Sequence, residues 1–225
     1  MFSGFFNYDN PVWRFIGKFF DVMILNLLWI VCSLPIVTIG ASTTAVYYVT
    51  LKLVRDEEGA TIKAFFKSFR ENFKQATIIW LILLAAGCII GFDLYFFLMI
   101  QTAPSTMRNV MMAVFIAFGV VYLGVGLYVF PLQCRFYNPV KRTLFNAFFM
   151  SIRHFFQTLG MLALNVALPA LALFVVPLLQ PLLMLFGFPL LAFFNSYFFV
   201  AIFDKYMPPK EEEDEVHELD QLEGL

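Results

Sequence analysis

Between Arg153 and Asp204 the chain carries no Asp, Glu, Lys or Arg, and His154 stands at the very start of that stretch. One pass through the apolar core of a bilayer takes roughly 20 apolar residues. The run from Phe155 to Phe203 therefore holds two passes. A second long run, from Lys74 to Arg108, is interrupted by a single charge, Asp93. A helix satisfies its backbone donors and acceptors within itself, which is what hydrocarbon demands. An all-α, polytopic helical membrane protein is expected. Composition agrees: of 225 residues 61% are hydrophobic and 14% are charged, where a soluble domain is about a quarter charged.

Apolar runs and their breakers place the spans. Residues 1–18 are aromatic and weakly basic, with Phe5, Phe6, Tyr8, Trp13, Arg14 and Lys18. They read as a helix arriving along the membrane surface. Residues 19–37 form a first span, broken by Pro35 and Gly40. Residues 41–54 are less apolar and rich in Thr, and read as a short second span or a re-entrant piece. Further spans fall at 76–98, 110–132, 157–177 and 183–203. Pro169, Pro177, Pro181 and Pro189 punctuate the last two, where neighbouring helices can re-satisfy freed backbone groups. Residues 1–205 thus make one helical transmembrane domain, of six spans if 41–54 crosses and five if it does not. The apolar run beyond residue 40 outlasts a signal-peptide core, so the first span is expected to be retained.

Charge is unevenly spread. Residues 1–205 hold 14 Lys+Arg and 8 Asp+Glu, a net +6; residues 206–225 hold Lys210 against eight acids, a net −7. The tail is expected to be a solvated, disordered extension, with Val216, Leu219 and Leu222 able to line one face of a short helix on binding. Within the body, Lys52, Arg55, Lys63, Lys67, Arg70 and Lys74 crowd one connection, and Arg135, Lys141, Arg142 and Arg153 another. The turn at 101–109 has only Arg108, and that at 178–182 has none. The positive-inside rule puts both basic connections and the C-terminus in the cytoplasm. Arg14 and Lys18 favour an N-terminus there too, which requires 41–54 to cross.

The two basic connections are related. Residues 64–75, AFFKSFRENFKQ, and 147–158, AFFMSIRHFFQT, share six identities at one offset of 83: Ala64/Ala147, Phe65/Phe148, Phe66/Phe149, Ser68/Ser151, Arg70/Arg153 and Phe73/Phe156. Two spans separate them, so a duplication here would be parallel. In the first copy Ile62, Phe65, Phe66, Phe69 and Phe73 share one helical face, and Lys63, Lys67, Arg70 and Lys74 the other. Such helices are expected to lie in the interface, with Phe in the lipid boundary and cations toward anionic headgroups or a cytoplasmic partner.

The run SLPIVTIGASTTAVYYVTLKL, Ser33 to Leu53, followed by AFFKSFRENFKQ, resembles the YesL-like family of bacterial membrane proteins. The resemblance extends over the aromatic N-terminus, the Pro–Thr–Gly segment and the basic Phe helix. It implies a small multi-span cell-membrane protein of unknown molecular function, associated with carbohydrate uptake and degradation. It implies no catalytic or binding residue.

Intramembrane polar residues are the default candidates for a substrate site. Asp93 stands without a charged neighbour in sequence, and Arg108 is the one cation on its side. Asn26, Asn165 and Asn195 suit either substrate contact or hydrogen bonding between helices. Asp21 lies three residues after Lys18, which suggests an interfacial ion pair. Gly87 and Gly91 suit close helix packing. Cys32, Cys88 and Cys134 read as small buried apolar groups. His154 and His217 have no ligand company, and no Walker, G-x-S-x-G or dinucleotide fingerprint is present.

No enzyme, cofactor, metal or nucleic-acid partner is therefore expected. The leading reading is a non-enzymatic accessory or regulatory component associated with carbohydrate uptake. Its expected contacts are the lipid bilayer and a sugar transporter subunit or other membrane protein, through Lys63, Lys67, Arg70, Lys74, Lys141, Arg142 and Arg153. The alternative is a small-molecule, sugar-related transporter or channel in its own right.

Overall fold

The computed structural model of the chain describes residues 11–57, 59–99, 105–176, 178 and 180–207. Most of the aromatic N-terminus and the acidic tail beyond Met207 lie outside them. The described residues are helical throughout their ordered elements and contain no strand. The helices are α1 (Pro11–Ser33), α2 (Ile39–Val54, entered by a 3₁₀ turn Ile36–Thr38), α3 (Thr61–Met99), α4 (Ser105–Arg135), α5 (Val140–Arg153), α6 (Phe155–Ala170, followed by a π turn Leu171–Val175) and α7 (Gln180–Phe203). Among the described residues six stretches are long and apolar enough to cross a membrane: Ile16–Ser33, Ile36–Val54, Thr61–Met99, Thr106–Arg135, Phe155–Phe174 and Met184–Phe203.

The Thr-rich segment is one of these six. Residues Gly40 to Tyr47 of α2 are all buried, and so are Val49, Thr50 and Leu51. Its low hydropathy follows from this position. A helix wrapped by other helices meets no lipid, so small and hydroxyl side chains serve it better than Leu or Phe. Each hydroxyl finds a partner: Ser42 donates to the Thr38 carbonyl, Thr44 to the Gly40 carbonyl, and Thr50 pairs with Ser196 of α7 at 2.8 Å. Trp29 of α1 donates to Thr43 at 3.2 Å. Gly40 proves not to be a breaker. It lies inside α2, where an added Cβ would meet the Ala76 carbonyl and sit 2.6 Å from the Trp80 Cβ. Having no side chain there lets α2 and α3 approach backbone to backbone. The break comes earlier, at Ser33 and Pro35, so the first span ends before residue 37, and residues 11–18 form the start of the same α1 helix.

Around α2 the core is aromatic. Tyr47 meets Phe188 and Phe199 edge-on, Tyr128 of α4 meets Phe199 edge-on at 5.2 Å, and Phe199 stacks on Phe203. Edge-to-face pairs of this kind add about 0.5–1.5 kcal/mol each beyond the area they bury. By contrast α3 and α4 leave Ile89, Phe92, Tyr95, Ile116, Phe118 and Leu123 exposed, as side chains facing lipid should be.

The prolines and glycines of α7 show how a broken membrane helix is repaired. Gly187 sits at φ 44°, ψ −138°, inside α7, and Pro189 follows. Pro189 has no N–H to give to the Leu185 carbonyl four residues back. Asn26 of α1 supplies it: its amide nitrogen lies 3.0 Å from the Leu185 oxygen and 2.9 Å from that of Met184. An added Cβ at Gly187 would collide with the Asn26 side chain, so glycine serves both the left-handed backbone and the close approach.

Candidate functional site

The two basic segments do not fold alike. The first is no separate interfacial helix. Thr61, Phe65, Ser68, Ala76, Ile79 and Leu83 are buried along one continuous stripe. Their spacing of three, four or eight residues keeps helical phase across the polar-to-apolar boundary, so α3 runs on as one helix of 39 residues. At 1.5 Å per residue that is about 58 Å, roughly twice the hydrocarbon thickness of about 30 Å. Phe65, expected in the lipid boundary, is instead fully buried, while Ile62, Phe66 and Phe73 stay exposed.

The second copy breaks. α5 ends at Arg153, His154 takes a non-helical conformation (φ −105°, ψ 42°), and α6 starts at Phe155. The Thr158 hydroxyl repairs the break, lying 2.9 Å from the Ser151 carbonyl, 3.0 Å from that of His154 and 3.0 Å from the Tyr128 hydroxyl. α5 buries Thr143, Ala147 and Ser151. Ser151 approaches α4 at Gly124, where an added Cβ would stand 3.2 Å from its own. Of the matched positions, Ser68 and Ser151 are buried in both copies. Phe65 is 0% exposed and its counterpart Phe148 is 37% exposed.

One side chain ties the two segments together, and sequence reading missed it. Gln133, buried near the end of α4, donates to the Gln75 side-chain oxygen at 2.6 Å and to that of Asn72 at 3.3 Å, both on α3. Its own oxygen accepts from the Thr143 hydroxyl of α5 at 3.3 Å. Asn72 in turn donates to the Ser68 carbonyl at 3.1 Å. The signal was there: an amide in the last turn of an apolar span, at the same depth as Asn72 and Gln75 at the head of another.

Cations at this end fall into two classes. Lys18 pairs with Asp56 at 2.8 Å, Lys52 with Glu57 at 3.7 Å and Arg55 with Asp204 at 2.6 Å. These contacts fasten the α2–α3 connection to α1 and to the end of α7. The expected Lys18–Asp21 pair is not formed. Lys18 reaches Asp56 across the loop, and Asp21 accepts from the Thr61 hydroxyl at 2.6 Å, at the electropositive start of α3. The second class is free. Lys63, Lys67, Arg70 and Lys74 on α3, and Lys141, Arg142 and Arg153 on α5, are exposed, and among the described residues none forms an ion pair.

A groove of about 500 Å³ opens beside α5. Arg142, Arg153, Asn138, Asn146 and Tyr206 form its polar wall, over an apolar floor that includes Leu132 and Phe149. Arg153 lies over the Tyr206 ring, 5.5 Å from its centre, and the Tyr206 hydroxyl is 2.8 Å from His154 Nε2. Burial, and then the nearby Lys205 and Arg153, hold the His154 imidazole below its ordinary pKa, against a hydrogen bond from the ring to Gln157, which favours the protonated form. A wall rich in guanidinium and amide N–H and without a carboxylate is suited to bind anions.

The predicted intramembrane candidates are placed differently. Asn165 and Asn195 form a reciprocal amide pair at 3.3 Å between α6 and α7, and Asn165 also donates to the Met161 carbonyl at 2.7 Å. With Asn26 on the α7 break, all three amides serve contacts between or along helices. Asp93 is half-buried on α3 and pairs with neither Arg108 nor any other described residue. Gly87 meets Tyr122 of α4, whereas an added Cβ at Gly91 would have nothing within 4 Å. Among the described residues no three His, Cys, Asp or Glu gather as metal ligands would.

No curated protein and no solved structure matches the chain. Residues 22–94, about a third of it, match the family described as "Protein of unknown function, DUF624". The matched stretch runs from α1 through α2 into the α3 span, so it contains the buried hydroxyl-rich helix and the first basic segment.

Proposed function

We propose that this membrane protein is a non-enzymatic accessory or regulatory component of a carbohydrate-uptake system, and that the basic end of the bundle is where it docks its partner. The observation that carries this reading is the division of the cations. Ion pairs occupy those that fasten the fold; seven on α3 and α5 are exposed and unpaired, on two helices held in register by Gln133. A surface on which one sign predominates, here seven cations against the exposed Glu71, steers an oppositely charged partner and sets its orientation. The link to carbohydrate uptake rests on the YesL-like resemblance of the Ser33 to Leu53 run.

The proposed orientation puts the basic end in the cytoplasm of a bacterial cell, because Lys and Arg gather there. Six crossings return both termini to that side. Reporter fusions at residues 58 and 210 should both read as inside, and an outside reading at either would reverse the orientation. The functional test is a mild-detergent pull-down of the tagged chain with mass spectrometry. A stoichiometric transporter subunit supports the accessory role. A lone chain that moves sugar into liposomes, and loses that ability in Asp93→Asn, would replace it with transport. The unpaired Asp93 favours that second reading, but the asparagines that would share its work are engaged between helices.

A further inference from the structure

The groove beside α5 has a candidate occupant in the chain itself. We infer that the acidic tail, residues 208–225, binds the Arg142–Arg153 groove and covers the α5 half of the docking surface until a partner displaces it. As regulation of that surface the idea rests on the function proposed above; as a contact within the chain it stands alone.

Three observations lead to it. First, the last described residues are pinned to the groove. Tyr206 forms part of its wall and bonds His154, and the Arg135 guanidinium lies 3.0 Å from the Met207 sulfur. The tail therefore leaves from the rim. Second, the charges complement each other. Eight of the chain's 16 acids lie between residues 208 and 225, five of them consecutive from Glu211 to Glu215. Facing them, Arg135, Lys141, Arg142, Arg153 and Lys205 form no ion pair among the described residues. Third, the reach fits. From Arg142 to Arg153 is about 17 Å along the helix, and the five acids stand five to nine residues past Tyr206, up to about 30 Å of extended chain.

Single exposed ion pairs are weak. Here several act together, and the attachment at Met207 makes each encounter intramolecular, at a high effective concentration. Guanidinium groups can take carboxylates in paired hydrogen bonds, with the Asn138 and Asn146 amides as further donors. Val216 and Leu219, just beyond the acidic run, suit the apolar floor at Leu132, Phe136 and Phe149.

The test uses the full chain in zwitterionic nanodiscs, in a Cys88→Ser background. Asn146→Cys and Glu213→Cys are joined by a short bis-maleimide, and the rate is compared with that of a Lys63→Cys and Glu213→Cys pair. We expect linking to Asn146→Cys to be at least about tenfold faster. It should slow about tenfold in the Arg142→Gln, Arg153→Gln background, and likewise in about 1 M salt, where the Debye length is ~3 Å. Equal rates at the two positions, or a rate indifferent to the arginines, overturn the proposal. So does loss of the link when phosphatidylglycerol is added, which assigns the groove to lipid, or a link found only between two copies. The assay contains no partner, so failure to find one in the pull-down leaves its result intact.

Discussion

Two regions of the described structure treat their polar side chains in opposite ways. Around α2, in the middle of the bundle, Ser42, Thr43, Thr44, Thr50, Asn26, Asn195 and Ser196 are buried, and every one is hydrogen-bonded. At the basic end, the seven cations of α3 and α5, with Arg135 and Lys205 beside them, stand exposed with no counter-ion among the described residues. The first pattern is what hydrocarbon imposes: an unsatisfied polar group there costs several kcal/mol, so these groups have been given partners, the buried hydroxyls of Ser33 and Thr77 being exceptions. The second is tolerated because water and headgroups solvate the charges. Polar groups already committed to the fold explain architecture. Uncommitted ones, held in fixed relative positions, are where function is to be sought.

The comparison can be broken most forcefully at the α2–α3 contact. Gly40→Val puts side-chain atoms onto the Ala76 carbonyl and the Trp80 Cβ. Overpacking of this kind costs about 3 kcal/mol, and the variant should unfold at markedly lower denaturing detergent than the parent. Gly91→Val, where nothing lies within 4 Å, should stay within about 0.5 kcal/mol. Equal behaviour of the two would mean that α2 is not packed as described.

The amide bridges come next. Asn26→Leu leaves the Met184 and Leu185 carbonyls without their donor, and Gln133→Leu removes the donor to the Gln75 oxygen and an acceptor of the Thr143 hydroxyl. Each should cost about 1–2 kcal/mol. The two should differ in what they report: Asn26→Leu should loosen α7, read as faster proteolysis near Gly187. Gln133→Leu should change the distance between spin labels placed on α3 and α5. A silent Gln133→Leu would remove the link between the basic segments.

Much of this was legible beforehand. The charge-free runs gave the spans, because hydrocarbon excludes charge whatever the tertiary fold. The role of α2 was harder to read, since hydropathy reports contact with lipid and α2 has little. The repeat was visible in AFFKSF and AFFMSI, but its two copies diverge in a way local pattern cannot reveal. Whether a basic helix continues into a span depends on the phase of the buried stripe. That phase holds from Thr61 to Leu83, and the matching helix is interrupted at His154. The free asparagines of the sequence turned out to be spoken for, while Gln133, whose partners lie 58 and 61 residues away on α3, went unnoticed.

The smallest effect concerns His154. Its pKa lies below the ordinary 6.5, through burial and the facing Lys205 and Arg153. The unfolded chain then binds the proton more readily, so its contribution costs stability as pH falls below about 6.5 and changes nothing above it. The thermal midpoint should decline from pH 7 to pH 5 more steeply in the parent than in His154→Gln. Identical slopes would mean that His154 is solvated in the folded state.

The central claim is that the exposed cations of α3 are for docking and not for folding. The measurement is the pull-down repeated with Lys63, Lys67, Arg70 and Lys74 all changed to Gln. All four are exposed and unpaired, so each change should move stability by no more than about 0.5 kcal/mol. Lys141, Arg142 and Arg153 remain to hold the orientation. The account predicts a variant that inserts and folds like the parent yet no longer co-purifies with its partner. Retention of every partner by a correctly inserted variant would contradict it.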